Sequence, residues 1–180
     1  LLSDSSVMYQ FAKDCHAAIF RSEVQQALSC PMQTLDAYSL LMSAIGLIYR
    51  LSRHHFEYAA ELLDELIHRS SRQPAMALAW KAKWHVLAVQ QGWTDSPERE
   101  KSLALSCTQT ALDHDPTNVT ALVSEGFTLT NLAHKLEEAE QRYNMALEYN
   151  PNYAMGRLLR GTLFAFKGAG EEAVKDTELA

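Results

Sequence analysis

Two stretches decide how this chain reads: TALDHDPTNVTALVSEGFTLTNL, from Thr110 to Leu132, and MALEYNPNYAMGRLLRGTLFAFKG, from Met145 to Gly168. Each runs Ala-Leu-acid, two further residues, Pro, and then a new apolar segment with Gly at its eighth position. Ala111 and Ala146, Pro116 and Pro151, and Gly126 and Gly161 all stand 35 residues apart. Three independent markers at one spacing make an internal repeat. Proline cannot donate the hydrogen bond a helix interior needs, so Pro116 and Pro151 mark places where one helix ends and another begins. Asp115 and Asn150, just before them, are pushed out of the helical region. Gly126, Gly161, Ala139 and Ala173 are small enough to let two helices cross closely. Larger residues fill the space around them: Leu122, Leu129, Tyr143 and Leu147 in one unit, Leu163, Phe164 and Val174 in the next. Their offsets of three and four put them on one helical face.

The rest of the composition agrees. The chain has 180 residues, 47% hydrophobic and 21% charged, which is enough apolar material for a packed core and excludes disorder. Only 7 Gly and 5 Pro occur, so turns are few and a sandwich or barrel is disfavoured. No apolar run approaches the roughly 18 residues of a membrane span, and no basic-then-apolar leader opens the chain. A net charge of −6 argues against a nucleic-acid backbone footprint. The 3 cysteines cannot all pair with one another and are widely spaced, so reduced thiols and a cytoplasmic location are expected. The chain starts at Leu1 and stops within an apolar helical pattern, which reads as part of something longer.

The repeat resembles the tetratricopeptide repeat, a pair of antiparallel helices in about 34 residues. On that scheme Val119 to about 153 is one unit with an extra residue near His134, and Ala154 to Ala180 is a second that stops before its closing proline. Upstream, Pro74 followed by AMALAWKAKWHVLAVQQ is similar to another first helix, with Trp80 where the family often has tryptophan. Its partner helix runs from about Pro97 to His114, after an insertion, QGWTDSPE, that a surface loop tolerates. A more divergent pair occupies about 35–74. Ahead of it, a helix over about Val7 to Ser29 within a 1–31 head carries Phe11, Cys15, Ile19, Phe20, Val24 and Leu28 at helical intervals, and is expected to cap the array. The implied fold is all-α: a right-handed superhelix of about four helix pairs, 32–180, with an N-terminal capping helix. The order of pieces is also similar to the C-terminal arrays of bacterial signalling proteins, where such repeats follow a winged-helix DNA-binding domain or a class III adenylate cyclase domain.

Catalytic chemistry is not legible. His54 and His55 are adjacent, whereas a zinc-protease helix needs His at i and i+4 around a Glu, and they are expected in the turn between two helices. Cys15 and His16 lack the spaced Cys pairs of a zinc site. No phosphate-binding loop, nucleophile elbow or dinucleotide fingerprint occurs, so no enzyme activity, metal or cofactor is expected. Asn118-Val119-Thr120 matches a common glycosylation tripeptide. Trp80 and Trp84 are expected to pack against a neighbouring unit, and Trp93, in the inserted loop, to fold back as a lid.

What the resemblance implies is a concave groove lined by first helices. Its positions two, five, nine, twelve and thirteen carry over to Leu78, Lys81, His85, Ala88 and Val89, to Thr120, Val123, Phe127, Thr130 and Asn131, and to Met155, Leu158, Thr162, Ala165 and Phe166. The first unit contributes Asp36, Ser39, Ser43 and Leu47. The groove is apolar toward its C-terminal half, either as a site for a protein or peptide partner or as the seat of a further helix. The basic set with which some family members grip a terminal carboxylate is incomplete, since Lys81 and Asn131 have no cation matching them in the next repeat. Self-association through Val174 and Leu179 at the C-terminal end is the competing expectation.

Overall fold

The computed structural model describes residues 4–50, 52–70 and 74–180. Residues 1–3, at the start of the expected capping head, and 51 and 71–73, within the expected first repeat, lie outside them. The chain divides into two compact units, 1–69 and 70–180. Among the described residues every regular element is helical. The fold is an all-α array of tetratricopeptide-type helix pairs.

The first unit holds α1 (Asp4–Ser29), a short 3-10 turn (Met32–Thr34), α2 (Ala37–Ile48) and α3 (Arg53–Arg69). Asp36 caps α2, its carboxylate accepting from the Ser39 N–H at 2.7 Å, so the chain turns sharply into the helix. α1 does pack on α2, and Gly46 is why they come close: a methyl group there would lie 2.6 Å from a Val24 methyl. The expected contact stripe on α1 is only partly used. Val24 and Ala27 are buried and Phe20 is partly so, whereas Phe11, Cys15, Ile19 and Leu28 are exposed. The reason is length: α1 has 26 residues and α2 has 12, so α2 covers one end of its neighbour. His54 and His55 sit in the first turn of α3 rather than in the connection before it. In α2 the residues carried over as groove positions are spent inside the unit: Ser43 donates its hydroxyl to the Glu23 carbonyl of α1 at 2.8 Å, and Leu47 is buried.

The second unit is three helix pairs in succession: α4 (Ala75–Gln90) with α5 (Pro97–His114), α6 (Val119–Thr128) with α7 (Leu136–Tyr149), and α8 (Ala154–Phe166) with α9 (Gly170–Glu178). Each first helix has a small residue at its eighth position, Ala82, Gly126 and Gly161. A methyl group on Gly126 would come within 2.7 Å of the Tyr143 ring, and one on Gly161 within 2.8 Å of the Thr177 methyl, so the second helix of each pair sits hard against the first. Leu122, Val123, Leu129, Ala139, Tyr143, Ala146 and Leu163 form one core cluster, and Ala82, Val86, Ala104 and Phe127 another. Burying a side chain of Leu or Phe size contributes roughly 1.5–3 kcal/mol. Burial also pushes the Tyr143 hydroxyl above its ordinary range, although it lies 3.4 Å from the Thr130 hydroxyl. The Asx-Pro turns between pairs are built alike. Asp115 accepts from the Thr117 N–H and Asn150 from the Asn152 N–H, each at 3.2 Å. Hydrogen bonds from the Thr117 hydroxyl, and then from the Asn118 amide, hold the Asp115 carboxyl below the usual carboxylate range. Asn118 in turn caps α6 by accepting from the Ala121 N–H at 2.9 Å, so the amide of the glycosylation tripeptide is already engaged.

The extra residue near His134 has a definite place. α6 widens into a π-helical turn over Leu129–Ala133, and His134 then takes the left-handed conformation with φ 55° and ψ 32°. The other two first helices end on left-handed glycines, Gly92 and Gly168. Their closing bonds span five residues, Trp93 N–H to Ala88 O and Ala169 N–H to Phe164 O, whereas Lys135 N–H reaches back six to Leu129 O. The inserted residue is therefore absorbed as a helical bulge. Polar side chains donate to carbonyls of these turns: Thr128 to Ser124 and Thr130 to Gly126 at 2.8 Å, and Asn131 to Phe127 at 2.9 Å. Glycine reaches the left-handed region without the penalty a β-carbon brings. His134→Gly is therefore expected to stabilise the protein by about 0.5–1 kcal/mol. A thermal melt checks this, and an unchanged or lowered midpoint would show that the His134 side chain contributes more than its backbone strain costs.

Candidate functional site

The first helices α4, α6 and α8 carry the expected groove, and their common start fixes the register. Ala75, Val119 and Ala154 are all first residues, and Ala82, Gly126 and Gly161 all eighth. This moves the α4 positions by two from the sequence expectation. The misleading signal was Trp80, taken as the family's tryptophan when that position is Leu78. The five groove positions on α4 are Met76, Ala79, Lys83, Val86 and Leu87. Lys81 and His85, the residues expected at the groove, are both buried. The Lys81 ammonium lies 5.1 Å from the Trp84 ring centre. His85 Nδ1 lies 2.5 Å from Glu100 Oε2 on α5, and Thr94 of the inserted loop donates to the other Glu100 oxygen at 3.3 Å. The first turn of α5, from Pro97, thus anchors to α4, and half-buried Trp93 lies in the loop between them.

On α6 and α8 the carried-over register holds, and the residues fall into two places. A narrow crevice is lined by Trp80, Lys83, Thr120, Val123, Ser124, Phe127, Tyr153, Met155 and Leu159, with an interior of 10 Å³, about one water molecule's room. Val123 and Phe127 form its buried wall and Met155 its half-buried rim. Lys83 is the residue that sequence reasoning missed. It is 6% exposed, its ammonium lies 5.0 Å from the Trp80 ring centre, and it donates to Met155 Sδ at 3.4 Å. Burial lowers its amine from an ordinary 10.5 to about 8. The hydroxyls of Thr120 and Tyr153 lie 3.3 Å apart at the same opening. A cation among aromatic, thioether and hydroxyl groups can attract an anion.

The second place is a shallow depression of 340 Å³ lined by Thr130, Asn131, His134, Leu136 and Phe166. Asn131 accepts from Gln90 at 2.9 Å, which ties the ends of α4 and α6 together. Beside it α8 presents Leu158, Thr162 and Phe166 at intervals of four, on one face. Leu158 is 45% and Phe166 61% exposed, and the Thr162 hydroxyl donates back to the Leu158 carbonyl. Among the described residues no three His, Cys, Asp or Glu side chains are placed to share a metal ion, and no helix is long and apolar enough to cross a membrane.

Comparison with known proteins places the fold. No family model matches the chain, and no curated protein matches it either. Solved structures do. One crystal structure of MamA superposes with a TM-score of 0.53 at 16% identity, covering 95% of this chain and 90% of that one. MamA of AMB-1 gives a TM-score of 0.54 at 18% identity over 91% and 90%, and MamA 41-end from Desulfovibrio magneticus RS-1 gives 0.54 at 17% over 91% and 93%. The shared feature is the helical-repeat fold.

Proposed function

We propose that this chain is a non-enzymatic protein-interaction module that binds a peptide or helix along α4, α6 and α8. It serves as the regulatory or scaffolding part of a larger bacterial signalling or transcription protein in the cytoplasm. The observation that supports this best is the α8 face, where Leu158 and Phe166 stand exposed at a fixed interval beside the depression at Asn131 and Phe166. Large apolar side chains lined up on one face mark a partner surface, while single ones scattered over a protein do not. Groups already packed in a first helix need little rearrangement to receive an extended or helical segment, which is the economy of helix-in-groove recognition.

The test is selection from a displayed library of random short peptides, followed by titration of the winners. Leu158→Glu and Phe166→Glu change solvent-facing side chains, so they should leave the circular dichroism melt unchanged and weaken the selected peptides by tenfold or more (about 1.4 kcal/mol). Selection that yields no binder, or binders indifferent to both substitutions, overturns the groove reading. A second reading is favoured by the C-terminal end, where Val174 of α9 is 56% and Leu179 just after it 58% exposed: self-association through that end. Sedimentation as a dimer that Val174→Glu converts to a monomer would put that reading in place of the first.

A further inference from the structure

We propose that α1 pairs antiparallel with the α1 of a second copy of this chain, through the helix face turned away from α2. This surface is separate from the groove of α4, α6 and α8 and from the C-terminal end. Met8, Cys15 and Ser22 recur every seven residues, as do Phe11, Ala18 and Gln25, and the two sets interleave at steps of three and four. That is the spacing of a seam between two helices. With 3.6 residues per turn, the seam lies about half a turn from Phe20 and Val24, which meet α2 at Gly46. All six seam residues are exposed and uncharged, Met8 being 66% and Phe11 65% exposed.

Charge and size indicate what covers this face. Asp14 and Arg21 stand along one edge of the seam, and Ala12 and Ile19 along the other, all four exposed. When a second α1 is turned antiparallel about an axis level with the His16–Ala17 bond, each edge meets its own copy. Asp14 then faces Arg21 of the second copy, Arg21 faces its Asp14, and small Ala12 faces large Ile19. At the centre Cys15 lies against Ala18, so the two backbones can approach closely, and Phe11 lies over the small Ser22. A parallel pairing would instead set Asp14 beside Ile19 and Arg21 beside Gln26, with neither charge matched. Within one helix Asp14 and Arg21 are about 10 Å apart along the axis, too far to neutralise each other. Asp14 accepts from the neutral Gln10 amide at 2.9 Å, which holds its carboxylate at the edge of the seam. The apolar seam supplies the attraction. The exposed ion pairs add little to affinity, but they fix partner and direction, because like charges placed opposite one another are penalised.

The experiment is sedimentation of the whole chain over a range of concentrations. The wild type should form a dimer, and Phe11→Glu should be monomeric. Asp14→Arg and Arg21→Asp each change two contacts, since the two-fold axis repeats them, and each should weaken the dimer at least tenfold. The exchanged variant carrying both substitutions restores opposite charges across the axis and should return to within about threefold of the wild type. All these side chains face solvent in the single copy, so the helical circular dichroism should not change. A wild type that stays monomeric overturns the proposal without touching the groove reading. A dimer indifferent to Asp14→Arg, or one that the exchanged variant fails to restore, overturns it as well. A dimer broken by Val174→Glu and not by Phe11→Glu would place self-association at the C-terminal end instead.

Discussion

Asp176→Ala should release α9 from the rest of its unit. The Asp176 carboxylate is 4% exposed and takes both arms of the Arg160 guanidinium, Nε to Oδ2 at 2.6 Å and Nη2 to Oδ1 at 2.8 Å, with Arg157 at 3.7 Å. Arg160 reaches on to Asn144 Oδ1 at 2.7 Å, so one guanidinium joins α7, α8 and α9. Removing one partner of a buried pair leaves the other desolvated without return, a loss of about 3–5 kcal/mol. The low end applies, because Arg160 keeps 21% of its side chain in solvent and can turn outward. With only 9 residues, α9 has little else to hold it, so the loss should appear locally. Amide hydrogen exchange would show α9 unprotected while α6 and α7 keep their protection. The preceding pair supplies the control. Glu125 and Arg142 occupy the corresponding places in α6 and α7, with an ion pair at 2.9 Å in the opposite sense. Burial pushes the Glu125 carboxyl up while Arg142 pulls it down. Since the site accepts either polarity, the exchanged pair Arg160→Asp with Asp176→Arg should recover much of the protection that Asp176→Ala loses. Protection in α9 unchanged by Asp176→Ala would show that apolar packing alone docks this helix.

How much of this was legible in the residues depended on local punctuation. Where Pro, Gly and Ala mark both the turn and the crossing, as from Pro116 to Ala173, helices and contact faces followed from steric and hydrogen-bonding rules that act over a few residues. The chain position of the extra residue was visible too, but not its form. That a helix swallows it as a π turn depends on Thr128, Thr130 and Asn131 having carbonyls within reach, which is a tertiary detail. Around α4 the punctuation is poor. Ala82 replaces the crossing glycine among several other alanines, and Trp80 supplied a false marker, so the register slipped by two and Lys83 did not fall on a groove position. Lysine on an alanine-rich helix ordinarily reaches solvent; only the third dimension shows Trp80 and Met155 closing over it. For α1, periodicity correctly gave a helix but could not tell how far α2 would extend along it.

Lys83→Met should make the protein more stable at neutral pH, the reverse of the usual outcome at a buried position. The amine titrates near 8 in the folded chain and near 10.5 when exposed. Below pH 8 both states carry the proton, and the folded state bears the desolvation penalty of the ammonium. Between about 8 and 10.5 the unfolded chain binds one proton more than the folded one, so wild-type stability should climb with pH through that window. The separation corresponds to about 3 kcal/mol. The Trp80 ring returns part of it, because a cation over an indole in a dry site gains about 1 kcal/mol or more. The net gain expected for Lys83→Met is therefore about 2 kcal/mol below pH 8, shrinking toward zero near pH 10.5. Urea unfolding of both proteins at pH 7 and again near pH 10 measures it as a difference, in which groups common to the two chains, Tyr143 among them, cancel. Equal stabilities at pH 7 would mean that Trp80, Met155 and their neighbours hold the ammonium as well as water does.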